Sequence, residues 1–185
     1  MEIVSTKNHQ LKEKIVKDVN RVNPNLVIDV GCGSYWSKVR IQNVVGFDQT
    51  KWKRNSFNFG EPDYICTIKE AKFEPECADV VMCIGSLNLE DGNVAHGKVS
   101  AYRWTNEDIL SDFDIVYKWS KKYIVMRARW ELDFIEEVQN LYNLKLVKEI
   151  KNYPKSDDVI IAKPGEVYNT NVSLIPYNYY WWWEK

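Results

Sequence analysis

Apolar and polar positions change period several times along these 185 residues, and the changes mark out alternating helices and strands. Between His9 and Val22 the residues Leu11, Ile15, Val16, Val19 and Val22 recur at three- and four-residue spacing, one face of a helix that Asn23 and Pro24 bring to an end. Short continuous apolar runs follow at Leu26–Val30 and Val44–Asp48, with a short helix near Ser37–Gln42 between them. Runs without polar alternation are what strands buried on both faces look like. Thr50–Pro62 is polar and reads as a loop, and further strands are expected near Tyr64–Thr67, Asp79–Ile84 and Tyr123–Arg127. Thr105–Lys118 reads as a helix, with Thr105 as its cap and Asp108 three residues on as an acidic variant of the capping box. Glu131–Tyr142 reads as another, with Leu132, Ile135, Val138, Leu141 and Tyr142 turned inward. Leu144–Tyr153 and Asp158–Lys163 pair most simply as an antiparallel hairpin at a sheet edge. Strands alternating with helices, joined by right-handed crossovers, give an α/β fold with a mostly parallel sheet.

Composition narrows the class. The length fits one domain with a sizeable core, and 45% hydrophobic with 28% charged residues is globular rather than disordered. No apolar run approaches eighteen residues, and the first fourteen lack the apolar core and cleavage site of a secretory signal. Cys32, Cys66, Cys77 and Cys83 show no CxxC spacing and mostly fall in expected strands or their loops. Reduced, buried thiols and a cytoplasmic location are therefore expected, and with only two histidines no metal site is. A net charge of −1 argues against a nucleic-acid-coated protein, and the basic clusters Lys51/Lys53/Arg54, Lys118/Lys121/Lys122 and Arg127/Arg129 read as solvated faces. The aromatic end, Tyr177–Trp183, is expected to pack on the protein itself, since six aromatic side chains in water would invite aggregation; a binding arm is the alternative.

The candidate chemistry lies in Val27–Ser34, VIDVGCGS. An apolar run ends in Asp29, and two glycines follow one residue apart, so the chain can turn sharply and lie flat against a ligand. Asp29 is placed to meet a positively charged group. At the end of the next apolar run, Asp48 is placed to take both hydroxyls of a ribose. Strand, Gly-x-Gly, strand and acid make up the nucleotide-binding half of a doubly wound sheet.

Asp29-Val30-Gly31-Cys32-Gly33 resembles the first motif of the class I S-adenosylmethionine (SAM)-dependent methyltransferases of the small-molecule type. The NAD fingerprint G-x-G-x-x-G is absent, because Ser34, Tyr35 and Trp36 follow Gly33. The resemblance covers Leu26 to Pro164 and implies a three-layer αβα, Rossmann-like domain with a seven-stranded, mostly parallel sheet ending in an antiparallel hairpin. Residues 1–25 would be a leading helix, 26–164 the core and 165–185 an aromatic tail. It also implies a cofactor, SAM, held by Asp29, Gly31, Cys32, Gly33, Asp48, Thr67, Ile68 and Gly85, with Asp29 on the ammonium and the loop backbone beside the amino-acid part. Tyr35 stands in place of the family's third glycine, Thr67 in place of the adenine-side acid twelve residues before Asp79, and Leu89 in place of a histidine. Phe73 falls where the family has Phe.

The implied activity is methyl transfer to an acceptor, a small molecule or a nucleic acid, that the sequence leaves open. A non-catalytic SAM- or partner-binding protein with the same fold is the alternative. Asn88, Glu90, Asp91, His96, Tyr102 and Arg127, after the fourth and fifth strands, are the candidate acceptor contacts, and Ser86–Trp104 is expected to wall the acceptor pocket. The Asp/Asn-Pro-Pro-aromatic run of amino-methylating enzymes is missing after the fourth strand, as are the Pro-Cys of cytosine C5 chemistry and an acid for ribose 2′-O chemistry.

Overall fold

The computed structural model describes residues 8–33, 36–49, 60–87, 105–128, 130, 132–151 and 179–185. Helix α1 (Asn8–Arg21) leads into β1 (Val27–Val30), a 3-10 turn (Trp36–Val39), β2 (Val44–Asp48), β3 (Tyr64–Ile65) and β4 (Ala78–Ile84). Helix α2 (Asn106–Trp119), β5 (Ser120–Ala128), α3 (Leu132–Leu141), β6 (Lys145–Lys151) and β7 (Tyr179–Glu184) complete the order. The seven strands form one sheet, β3-β2-β1-β4-β5-β7-β6, with the first five parallel and β7 antiparallel to both neighbours. Among the described residues no helix is long and apolar enough to cross a membrane.

Each sheet face has its own core. On one side Ile15, Val16 and Val19 of α1 pack with Trp36 and Ile41 over Val27, Val80, Met82, Val125, Tyr180 and Trp182. On the other, α2 and α3 cover Ile28, Val30, Val81, Cys83, Ile124, Met126, Trp181 and Trp183. The burial of β1, complete along its four residues, explains why its sequence is apolar on both faces apart from Asp29. Thr105 caps α2 as its spacing implied: its side chain accepts from the Asp108 N–H while the Asp108 carboxylate receives the Thr105 N–H.

The sheet's last strand differs from expectation. The second strand foreseen at Asp158–Lys163 lies outside the described residues, and the antiparallel partner of β6 is the aromatic segment Tyr179–Glu184. That segment is no tail beyond a core ending at residue 164. It is inserted between β5 and β6, with Trp181 and Trp183 turned to the α2–α3 side and Tyr180 and Trp182 to the α1 side. A strand whose two faces are both buried shows no polar alternation, so the run YYWWW reads equally as an arm or a core strand. Three of its polar handles have partners: the Trp183 indole donates to Gln139 (2.9 Å), the Trp181 indole to Glu149 (3.4 Å) and the Tyr180 hydroxyl to Asp18 (3.2 Å). One detail of α3 also departs: Leu141 is exposed, while Phe134, Ile135 and Val138 face inward. Tyr142, just past the helix end, turns its ring onto Phe113 and Tyr117 and covers that part of the core instead.

Candidate cofactor site at the switch point of the sheet

Strand order reverses at β1, which has β2 on one side and β4 on the other. In an open parallel sheet this is where the loops after two neighbouring strands leave in opposite directions and open a crevice. The loop after β1 is drawn onto the end of β2: the Cys32 N–H donates to the Phe47 carbonyl (3.0 Å) and the Gly33 N–H to the Asp48 carboxylate (2.9 Å). Both bonds depend on a chain that reverses within three residues. Gly31 and Gly33 supply this with φ of +64° and +56°, the left-handed region that a Cβ disfavours.

Across the crevice Gly31 lies against the loop after β4; a Cβ on it would stand 2.5 Å from the Cβ of Ser86. Around Gly33 a Cβ would meet nothing within 4 Å, so the outer side of the loop is open to a ligand. Gly31→Ala is therefore expected to cost about 1–3 kcal/mol of stability through strain and backbone displacement, and to loosen the crevice. Gly33→Ala, with only its φ at stake, is expected to cost about 1–2 kcal/mol. Urea midpoints of the two variants measure the difference, and equal midpoints would show that the two loops do not press together.

Asp29 lies beneath this loop, 1% exposed. It accepts a 2.5 Å hydrogen bond from the buried Ser37 hydroxyl, which the 3-10 turn holds in place. Burial pushes its carboxyl up to about 7, against the opposing pull of the Ser37 bond; nearby Asp48 raises it further and Lys12 lowers it. A carboxyl so placed gains from any cation brought to it. Cys32 and Cys83 are the reverse case: burial and neighbouring acids push both thiols up, so they stay protonated and inert.

No protein-family model and no curated protein sequence matches the chain. Solved structures do. Magnesium protoporphyrin IX methyltransferase from Synechocystis PCC 6803, crystallised with bound SAM, aligns over 95% of this chain and 78% of its own with TM-score 0.58 and 11% identity. A SAM-dependent methyltransferase from Archaeoglobus fulgidus aligns over 94% of each chain with TM-score 0.54 and 14% identity. The methyltransferase domain of bacterial CtHen1-CN aligns over 96% of this chain and 99% of its own with TM-score 0.55 and 12% identity. This chain has the class I methyltransferase fold. At such identities the likeness is one of architecture and leaves the chemistry to the residues.

Within the methyltransferase fold the expected residues divide into three groups. Asp29, Gly31, Cys32, Gly33 and Asp48 come together around the β1 loop. Gly85, with φ of +80°, ends β4 beside them and its N–H donates to the Arg127 carbonyl of β5 (2.7 Å). Ile68 is buried in the core, and Thr67 is exposed with its N–H and hydroxyl both given to Glu70 (2.9 Å each). Thus an acid does stand at the turn after β3, three residues later than the family pattern has it. Asn88, Glu90, Asp91, His96 and Tyr102 lie outside the described residues, as does most of Ser86–Trp104. Arg127 is half-buried at the carboxyl end of β5, in register with Ile84.

Three residues of this region were not singled out as cofactor contacts by the sequence. Ser37 is a small polar side chain in a short turn, with no signal to mark it. Ser86 is recognised only by its contact with Gly31 and by a buried hydroxyl beside the Cys83 thiol. Lys12 was legible: it interrupts the apolar stripe of α1 one turn before Ile15 and Val16, so a charge is directed toward the sheet. A recess of about 620 Å³ between α1 and β6–β7, lined by Asp18, Tyr123, Lys145 and Trp182, opens at the other ends of the strands and plays no part in the crevice.

Proposed function

We propose that the protein is a SAM-dependent methyltransferase, with its cofactor in the crevice formed by the loops after β1, β2 and β4. The observation that carries this reading is the Gly31–Gly33 loop bonded to Asp48 over a buried Asp29 at the switch point. These residues suit SAM. The outer side of Gly33 leaves room for a ligand against the backbone, the buried carboxyl of Asp29 is matched by an ammonium, and Asp48 stands at the end of β2 for the ribose. The Ser86 hydroxyl, buried beside the Cys83 thiol, offers a further polar contact on the β4 side. Ile68 and the turn at Thr67–Glu70 lie where the adenine would be read.

When bound, SAM supplies a methyl carbon already activated by its sulfonium. The protein then has to align a nucleophile with that carbon and keep water away, which calls for no universal catalytic base. The acceptor contacts proposed are Asn88, Glu90, Asp91, His96, Tyr102 and Arg127, and the acceptor is a small molecule or a nucleic acid.

Titration calorimetry with S-adenosylhomocysteine (SAH), the neutral product, tests the reading. Binding is expected, and Asp48→Ala is expected to weaken it by about 1.5–3 kcal/mol, the scale of hydrogen bonds to a charged group. No heat and no thermal shift at millimolar SAH would sink the proposal. Transfer of a labelled methyl group to cellular extracts separates an enzyme from a protein that only binds the cofactor.

A further inference from the structure

The chain leaves β4 through bends at Gly85, Ser86 and Leu87. A buried carbonyl in such a bend lies outside the sheet ladder and needs a donor from elsewhere. For the fully buried Leu87 the donor is an indole: Trp130 Nε1–H gives a 2.7 Å hydrogen bond to the Leu87 carbonyl across 43 residues of sequence. Trp130 is itself fully buried and held on several sides. Its ring centroid stands 6.1 Å from that of Phe113 on α2, 5.0 Å from Phe134 on α3, and 6.0 and 6.3 Å from Trp181 and Trp183 on β7. Rings from three elements thus fix the direction of one N–H. A second bond secures the start of the same bends, from the Gly85 N–H to the Arg127 carbonyl of β5 (2.7 Å). Between the two ties stands Ser86, the residue that meets Gly31 across the crevice.

The contact of Gly31 with Ser86 leaves no slack, since even one added Cβ would collide there. The place of Ser86 therefore decides how far the loops after β1 and β4 stand apart. We propose that Trp130 is a positioning residue for the cofactor: through the Leu87 carbonyl it holds Ser86 against the loop after β1 and sets the width of the crevice. This rests on the cofactor reading above and deepens it. Trp130 acts from behind the wall, its ring in the core shared by α2, α3 and β7. The indoles of β7 brace the ring that braces the loop. Such support governs affinity, because a wall displaced by more than about half an ångström loses the contacts that depend on close approach.

Calorimetry with SAH on the full chain tests this. Trp130→Phe keeps an aromatic ring and removes the donor; putting the benzothienyl isostere of tryptophan at position 130, sulfur in place of N–H, removes the donor and keeps the shape. Both are expected to weaken SAH by about five- to tenfold, the scale of one lost hydrogen bond, and to speed amide hydrogen exchange at Ser86 and Leu87. Trp183→Phe is the control, because it removes the indole bond to Gln139 (2.9 Å) from the same ring cluster at a point that does not touch the loop. It is expected to lower the urea midpoint comparably and to leave SAH affinity within about twofold. Should Trp130→Phe fail to fold, the isostere carries the test. SAH affinity within about twofold of wild type in the isostere protein, or equal weakening by Trp183→Phe, overturns the assignment and leaves the cofactor reading standing. Wild-type protein that binds no SAH overturns both.

Discussion

Replacing Asp29 by asparagine is expected to stabilise the ligand-free protein at pH 8 and to abolish most of its affinity for SAH. The two effects have one cause. Asp29 is 1% exposed, its ordinary carboxyl value of 3.8 is pushed up to about 7, and the groups that face it are Ser37, Asp48 and Lys12. Between pH 4 and 7 the folded protein thus holds a proton that the unfolded chain releases, so stability falls as pH rises through that window and levels off above it. The cost at pH 8 is on the order of 4 kcal/mol, at about 1.4 kcal/mol per pH unit. Asparagine keeps the volume and can still accept from Ser37, yet carries no charge to desolvate. Urea titrations at pH 5 and pH 8 should show a falling stability for the wild type and a flat one for Asp29→Asn. The same variant should show almost none of the wild-type thermal shift with SAH. A variant with the wild-type pH slope would show that another group carries the proton.

Removing residues 179–185 is expected to leave the chain unfolded. Trp181 and Trp183 are fully buried, and with Trp130 they form a cluster with centroids 5.9–6.3 Å apart, Trp181 and Trp183 nearly parallel at 9°. Either one changed to alanine should cost about 3–5 kcal/mol, a large share of the roughly 5–15 kcal/mol that holds a domain together. Loss of both, together with two rows of strand pairing, exceeds that margin. Near-ultraviolet circular dichroism, to which stacked indoles contribute strongly, and the urea midpoint report the outcome. Leu141→Ala, at a side chain 62% exposed, should move the midpoint by no more than about 0.5 kcal/mol and serves as the control. A Trp183→Ala protein as stable as that control would place the strand outside the core.

The contrast between these two regions explains what the sequence could disclose. The β1 loop is a local object: a buried run, an acid and two glycines within eight residues carry the strand, the turn and the candidate site, and the structure brings Asp48 to the same loop. Thr105 and Asp108 are as local, and the cap is formed as spaced. Strand β7 has no such signal, because its neighbours are β5, more than fifty residues before it, and β6, almost thirty before. A nearer apolar segment, Asp158–Lys163, offered the simpler hairpin, and simplicity of connection is no guide once a strand is inserted between two others. Lys12 lies between these cases. Its position on the apolar stripe of α1 was visible, but its nearness to the buried Asp29 is a fact of three dimensions.

The insertion of β7 between β5 and β6 also bears on how the protein is made. On the ribosome, the first six strands emerge before Tyr179–Glu184 has been synthesised, so in the growing polypeptide β5 has an open edge where β7 will later sit. An unpaired edge backed by apolar side chains is a template for association with other nascent copies. Slow decoding of the Trp codons would prolong that exposed interval, and holdase chaperones would have most to protect during it. Soluble yield in cells should accordingly respond to translation speed over residues 152–184 far more than to the same change made upstream of β5.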